Sequence, residues 1–163
     1  MNIWLTQELI SLLYQEIENQ APKETGGVLM GRISSKDYVI SHIIGPGPNA
    51  IHEKYRFIPD HDYQCDEIEK HFKSTSGKEI YLGDWHSHPN ASSYLSQQDK
   101  ITLKDIADFA EAQIAQPIMM VIGTEPYEMK CWKYISQRNL KLQRIKIYKQ
   151  PVKAANRVLG FKK

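Results

Sequence analysis

The stretch Gly83 to Asp99 reads GDWHSHPNASSYLSQQD and holds the residues best suited to chemistry. His86 and His88 stand one residue apart, Pro89 stops them, and Ser96 and Asp99 follow. In a β-strand, residues i and i+2 face the same side, roughly 6.6 Å apart along the axis. Both imidazoles can therefore turn a nitrogen toward one cation while Ser87 points away. Pro89 cannot donate to a continuing ladder and marks the strand's end. Asp99, in the first turn of a following helix, can return a carboxylate to the same point. Two imidazoles and one carboxylate suit Zn²⁺, one per chain, with the fourth position left for water. An open position is the mark of a catalytic zinc site, since structural sites are closed.

Plainer readings exist for the same residues. A His-Ser-His can be surface decoration, and Ser96 with Asp99 also spells a helix cap with an acidic first turn. Other His-x-His metal patterns fail on their further residues. A metallo-β-lactamase would need Asp and His where Asn90 and Ala91 stand, and a cupin would need a Glu near Ser92 and Ser93. A nucleobase deaminase needs His-x-Glu and C-x-x-C, and neither is present.

The surrounding elements must carry these side chains. Thr6 caps a first helix with Leu9, Ile10, Leu12, Leu13 and Ile17 at helical spacing, running to about Asn19. GGVLMGRI and YVISHII read as paired strands turned by Ser34, Ser35, Lys36 and Asp37. GPGPNA, residues 45–50, is a loop, and KYRFIP a short strand. Asp60 or Asp62 caps a second helix carrying Ile68 and Phe72 and ending near Gly77. EIYLGDWHSH is then a central, buried strand. Ser96 opens a third helix with Ile101, Leu103, Ile106 and Phe109, and PIMMVIG, YEMKCWKYI and KLQRIKIYK close the chain as strands. The pattern predicts a single α/β (α+β mixed) domain, a mixed β-sheet flanked by helices. Residues 1–148 form this domain, and residues 149–163 a basic tail, either a short helix or frayed.

At 163 residues, with 41% apolar and 25% charged side chains, the chain suits one globular domain. No apolar run approaches the roughly 18 residues of a membrane span, and the opening MNIWLTQELI lacks the charged and apolar regions of a secretory leader. Cys65 and Cys131 are far apart and read as small buried apolar groups in a reducing cytosol, so a cytoplasmic location is expected. No membrane partner is expected. Eleven Lys or Arg follow Glu128 with no further acid. Without aromatics interleaved on one face, nucleic acid is not the expected partner.

His-Ser-His-Pro, then Ser96 and Asp99 at this spacing, resembles the JAMM motif of the MPN-plus (JAB-type) zinc metalloproteases. Upstream, KETGGVLMGR supplies Glu24 before a Gly-Gly-x-Leu-x-Gly run, as that family has it. The resemblance covers most of residues 1–148 and implies a cytidine-deaminase-like architecture. It implies that His86, His88 and Asp99 bind zinc, that Glu24 is the general acid/base, and that Ser96 stabilises the oxyanion. The implied activity is isopeptidase or peptidase cleavage after the C-terminus of a ubiquitin-like protein, in precursor processing or deconjugation. The small size looks most like stand-alone bacterial, deubiquitinase-like members of ubiquitin-like conjugation or CD-NTase antiphage defence operons. Partners would be a ubiquitin-like protein or its conjugate, and operon-encoded activating-like and conjugating-like enzymes. A zinc amidase on small peptides or sulfur-carrier precursors, and a non-catalytic MPN scaffold, are the alternatives. Trp85 reads as sheet packing. Asp84, on the same face as the two histidines by alternation, leaves open whether it supports one of them. His42, His52, His61 and His71 default to surface or capping roles.

Overall fold

Thr6 both ends a strand and starts a helix in this computed structural model, which describes residues 1–136 and 139–148. Its hydroxyl oxygen accepts from the Leu9 N–H at 3.3 Å, capping α1 (Gln7–Gln20) as predicted. The strand before it, β1 (Asn2–Thr6), has no counterpart among the predicted elements. Asp37 holds it, accepting from the Asn2 N–H at 2.8 Å and from Trp4 Nε1 at 2.7 Å. The paired strands follow as β2 (Gly26–Ser34) and β3 (Asp37–Ile44), with Ser35 at φ 56° in the turn. A small hairpin, β4 (Ile51–His52) with β5 (Phe57–Ile58), precedes α2 (His61–Ser74), which Asp60 caps. Then come β6 (Ile80–His88), α3 (Gln97–Asp108), β7 (Ile118–Thr124), β8 (Tyr127–Ser136) and β9 (Asn139–Tyr148). The expected tail, residues 149–163, lies outside the described residues.

The sheet is mixed, as expected, but it closes. Its order is β1-β3-β2-β6-β7-β8-β9, and β1 pairs in parallel with both β3 and β9. The missed strand is therefore the closing stave, and the mixed sheet is a barrel without free edges. β6 lies between β2 and β7, paired on both sides as a buried strand requires.

Alternation sorts the packing into layers. Leu29, Ile118, Met120, Ile122 and Trp85 share one cluster with Leu9, Ile10, Leu13 and Ile17 of α1. Their neighbours in sequence face the other way: Val28, Met30 and Ile44 meet Ile68 of α2, and Met119, Val121 and Tyr134 meet Leu103 of α3. Trp85 is thus core, as the sequence suggested. Phe72, Ile101 and Phe109 are exposed rather than core. α2 rests on a narrow apolar contact through Ile68, while α3 packs through Leu103, Ile106 and Ala107, so only part of the predicted stripe is needed. Cys131 is buried, but Cys65 lies exposed on α2, its Sγ 3.5 Å from His61 Nε2, which corrects the expectation for that thiol. No helix among the described residues is long and apolar enough to cross a membrane.

Candidate metal centre

Since Trp85 faces the α1 layer, His86 and His88 face outward at the end of β6, beside α3. Ser96 and Asp99 close a capping box at the start of α3. The Asp99 N–H donates to Ser96 Oγ at 3.1 Å, and the Ser96 N–H donates to Asp99 Oδ2 at 2.8 Å. Leu103, one turn on, is fully buried and pins the same helix face to β7 and β8. Burying such a leucine contributes about 1.5–3 kcal/mol, which here also sets the place of Asp99.

The Nε2 atoms of His86 and His88 stand 3.1 Å apart, and His86 Nε2 stands 3.3 Å from Asp99 Oδ1. All three donor atoms lie within 4.8 Å of one another. Ligands held at 2.0–2.2 Å by a tetrahedral Zn²⁺ stand roughly 3.3–3.5 Å apart, so the spacing and the donor set both fit such an ion. Asp99 Oδ2 serves the cap while Oδ1 faces His86, so the helix-cap reading holds and leaves a carboxylate oxygen that could bind a metal.

The electrostatics agree with this. Burial pushes the Asp99 carboxyl up, but His86 and the two Ser96 bonds outweigh it and hold the pKa at about 2. Burial, then the neighbouring His86, lowers the pKa of His88, favouring the neutral imidazole a metal requires. His88 Nδ1 faces the Ser92 carbonyl at 3.4 Å, which leaves Nε2 for the centre. Tyr94, half exposed, lies over His88 with ring centroids 4.8 Å apart. Asp84 accepts from the Tyr81 hydroxyl at 2.8 Å, and burial raises its pKa to about 6. Tyr81, rather than His86 or His88, is its hydrogen-bond partner among the described residues.

Glu24 stands two residues before the first residue of β2. The β2–β6 ladder ends at the Gly26–His86 pair, two residues after Glu24, which puts Glu24 toward the His88 end of β6. A Cβ at Gly26 would stand 3.0 Å from His86 Cβ and 2.8 Å from the Phe57 ring, which explains the first glycine of the pair. Burial raises the Glu24 pKa; the charges of His86 and Asp99 act on it too, in opposite senses. The β4–β5 hairpin holds its backbone: the Glu24 N–H donates to the Glu53 carbonyl at 2.8 Å, and His52 Nδ1 meets the Glu24 carbonyl at 2.9 Å. His52 is therefore not a surface histidine. No local signal marks it, because its partner lies 28 residues away. The five predicted residues Glu24, His86, His88, Ser96 and Asp99 thus come from three separate elements to one end of the barrel.

Comparison with known proteins agrees with this geometry. The family described as prokaryotic homologs of the JAB domain matches residues 6–135. A probable metalloprotease of Sinorhizobium fredii is 30% identical over 148 residues, which cover 88% of this chain and 90% of that one. A CD-NTase/cGAS isopeptidase of Vibrio cholerae is 28% identical over 89 residues, 55% of this chain and 56% of its own length. A second protein of that name, from Escherichia coli, is 26% identical over 106 residues, 65% of this chain and 59% of its own. The solution structure of a protein from Desulfitobacterium hafniense superposes with a TM-score of 0.70 at 20% identity, over 91% of this chain and 94% of that one, and shares the fold.

Proposed function

The chain belongs to the prokaryotic JAB-domain family, and from that premise we propose that it is a zinc-dependent isopeptidase or peptidase cleaving after the C-terminus of a ubiquitin-like protein. The observation that carries the reading is the convergence of His86 Nε2, His88 Nε2 and Asp99 Oδ1, with the Glu24 carboxyl near enough to His86 and Asp99 to feel both charges. Peptidase or isopeptidase chemistry is the general class of the named relatives. The likeness to proteins named CD-NTase/cGAS isopeptidases supports a conjugate as substrate and a CD-NTase defence system as the setting; activating-like and conjugating-like enzymes are the partners proposed there.

His86, His88 and Asp99 would hold the zinc. The ion would supply a Lewis acid that acidifies a water and polarises the amide carbonyl. Glu24 takes the proton of the attacking water and delivers it to the departing amine nitrogen, so that the C–N bond breaks without an amide anion. Ser96 Oγ accepts from the Asp99 N–H, which leaves its own O–H free to donate to the carbonyl oxygen as charge develops there. No side chain forms a covalent bond to the substrate, and neither cysteine is needed.

The test compares wild type with Glu24→Ala for bound zinc and for release of an amine-linked reporter from a ubiquitin-like C-terminus. About one zinc per chain in both, with cleavage lost by roughly 10²–10⁴-fold in the variant, is expected. Zinc in both without cleavage of any such modifier favours an amidase on small peptides or sulfur-carrier precursors. Folded protein that takes no zinc would overturn the reading and leave a scaffold.

A further inference from the structure

Ser87 stands between the two histidines, and its side chain faces away from them. It is wholly buried, and so is Thr25, the residue after Glu24. The Gly26–His86 pair of the β2–β6 ladder would be followed by Thr25 opposite Ser87. One bond of that pair is made normally: the Ser87 N–H donates to the Thr25 carbonyl at 2.8 Å. The return bond is not made to a backbone carbonyl. The Thr25 N–H donates instead to Ser87 Oγ at 3.0 Å. The Thr25 hydroxyl in turn donates to Glu16 Oε1 of α1 at 3.1 Å.

The last rung of the ladder is therefore a side-chain rung. A normal pair would keep the two backbones in step, but reaching the hydroxyl lets β2 leave β6 at this point. Glu24, one residue further out, directs its N–H and C=O away from β6, as antiparallel alternation requires, and the β4–β5 hairpin takes both, so Glu24 is held from one side by the hairpin and from the other through Thr25. We propose that Ser87 is a positioning residue: through the buried Thr25 amide, its hydroxyl fixes where Glu24 stands relative to His86 and His88. The inference rests on Glu24 carrying the proton, as proposed above. It gives the central residue of His-Ser-His a task distinct from metal binding. Without the hydroxyl, a buried N–H loses its acceptor, and such a group seeks another partner by moving. A displacement near 1 Å at a reacting group costs about 10²-fold in rate.

The test uses the full chain with zinc added and compares wild type, Ser87→Ala, Glu24→Ala and the double variant. Bound zinc, Thr25 amide exchange by NMR, kcat and KM are measured for each. Ser87→Ala is expected to keep about one zinc, to speed Thr25 exchange at least tenfold, and to lower kcat about 10- to 100-fold. KM should stay within about twofold, because substrate binding does not use Glu24's alignment. On the Glu24→Ala background, Ser87→Ala should lower kcat no further, a coupling that general destabilisation would not produce. Ser87→Cys keeps a weak acceptor of similar shape and should fall between, which preserves the test if the alanine variant does not fold. Unchanged kcat, loss of zinc, or an equal loss on both backgrounds would overturn the proposal. A wild type that binds zinc but cleaves nothing would fail the proposed function separately. Unchanged Thr25 exchange in Ser87→Ala would then still overturn the positioning role.

Discussion

Two histidine pairs with a nearby carboxylate stand among the described residues, and one of them converges with its carboxylate as a group that could hold a metal. His86 and His88 tilt their rings by 57° and bring their Nε2 atoms to 3.1 Å, with Asp99 alongside. His42 and His71 lie flat against each other, centroids 4.1 Å apart at 7°, and His71 Nε2 points sideways to Glu79 Oε2 at 2.6 Å. The first pair aims its lone pairs at a shared point, whereas the second presents π-faces to each other and spends a nitrogen on an ion-pair partner. The cause is positional. Two residues apart on one strand, imidazoles share a face and can converge. His42 on β3 and His71 on α2 meet across a packing interface, where flat contact buries more surface.

The strongest break of this comparison is to remove one carboxylate from each group. Asp99→Ala should abolish zinc retention and lower turnover by at least about 10³-fold, as loss of a charged ligand from a three-residue site does. Glu79→Ala should leave zinc at one per chain and turnover within about twofold, while the protein becomes modestly less stable. Zinc titration and reporter cleavage on both variants decide it. Retained zinc in Asp99→Ala would mean that the two histidines suffice.

The site was legible in the sequence because its signal is local: His86, His88, Ser96 and Asp99 fall within fourteen residues, where strand and helix periodicity apply. Glu24 was legible only through the adjoining glycines. What was hidden depends on pairing between distant segments. β1 is five residues long and follows no turn, and its place is set by Asp37 and by β9 at the far end of the chain. Barrel closure was hidden with it. His42 escaped for a similar reason. A bulge at Ser41, between the Met30–His42 and Gly31–Ile40 pairs, reverses the alternation and turns it toward α2. The exposure of Cys65 follows from the narrowness of the α2 contact, which composition does not report.

Ser96 sharpens the contrast between a cap that only stabilises and one that also serves the site. Thr6→Ala, at the start of α1, should cost about 1 kcal/mol of stability and leave kcat unchanged. Ser96→Ala should cost a similar amount of stability but lower kcat about 10²–10³-fold with zinc retained, through loss of the oxyanion donor. Ser96→Thr keeps both the acceptor and the O–H and should recover most of each loss. Equal kinetic effects at Thr6 and Ser96 would reduce Ser96 to a cap.

The smallest effect concerns the stacked pair. Burial, then the adjacent His71, lowers the His42 pKa below its usual 6.5, and Glu79 and Glu67 offset this only in part. The sign follows from proton uptake. Between the unfolded value of about 6.5 and the lower folded value, the unfolded chain binds more protons, so stability falls as pH falls through this window. Burial pushes Glu79 up, but its bond to His71 and the charges of His71 and Arg32 hold it below 4.5, so it adds a loss only in more acidic solution. Zinc-saturated protein should therefore lose Tm between about pH 7.5 and pH 5.5, with the metal keeping His88 from titrating. His42→Phe retains a ring against His71 and removes the titrating group, so its Tm should change less over the same interval. Equal slopes in the two proteins would remove His42 as the source. The stacked pair would then be packing alone, in still sharper contrast to the pair that converges.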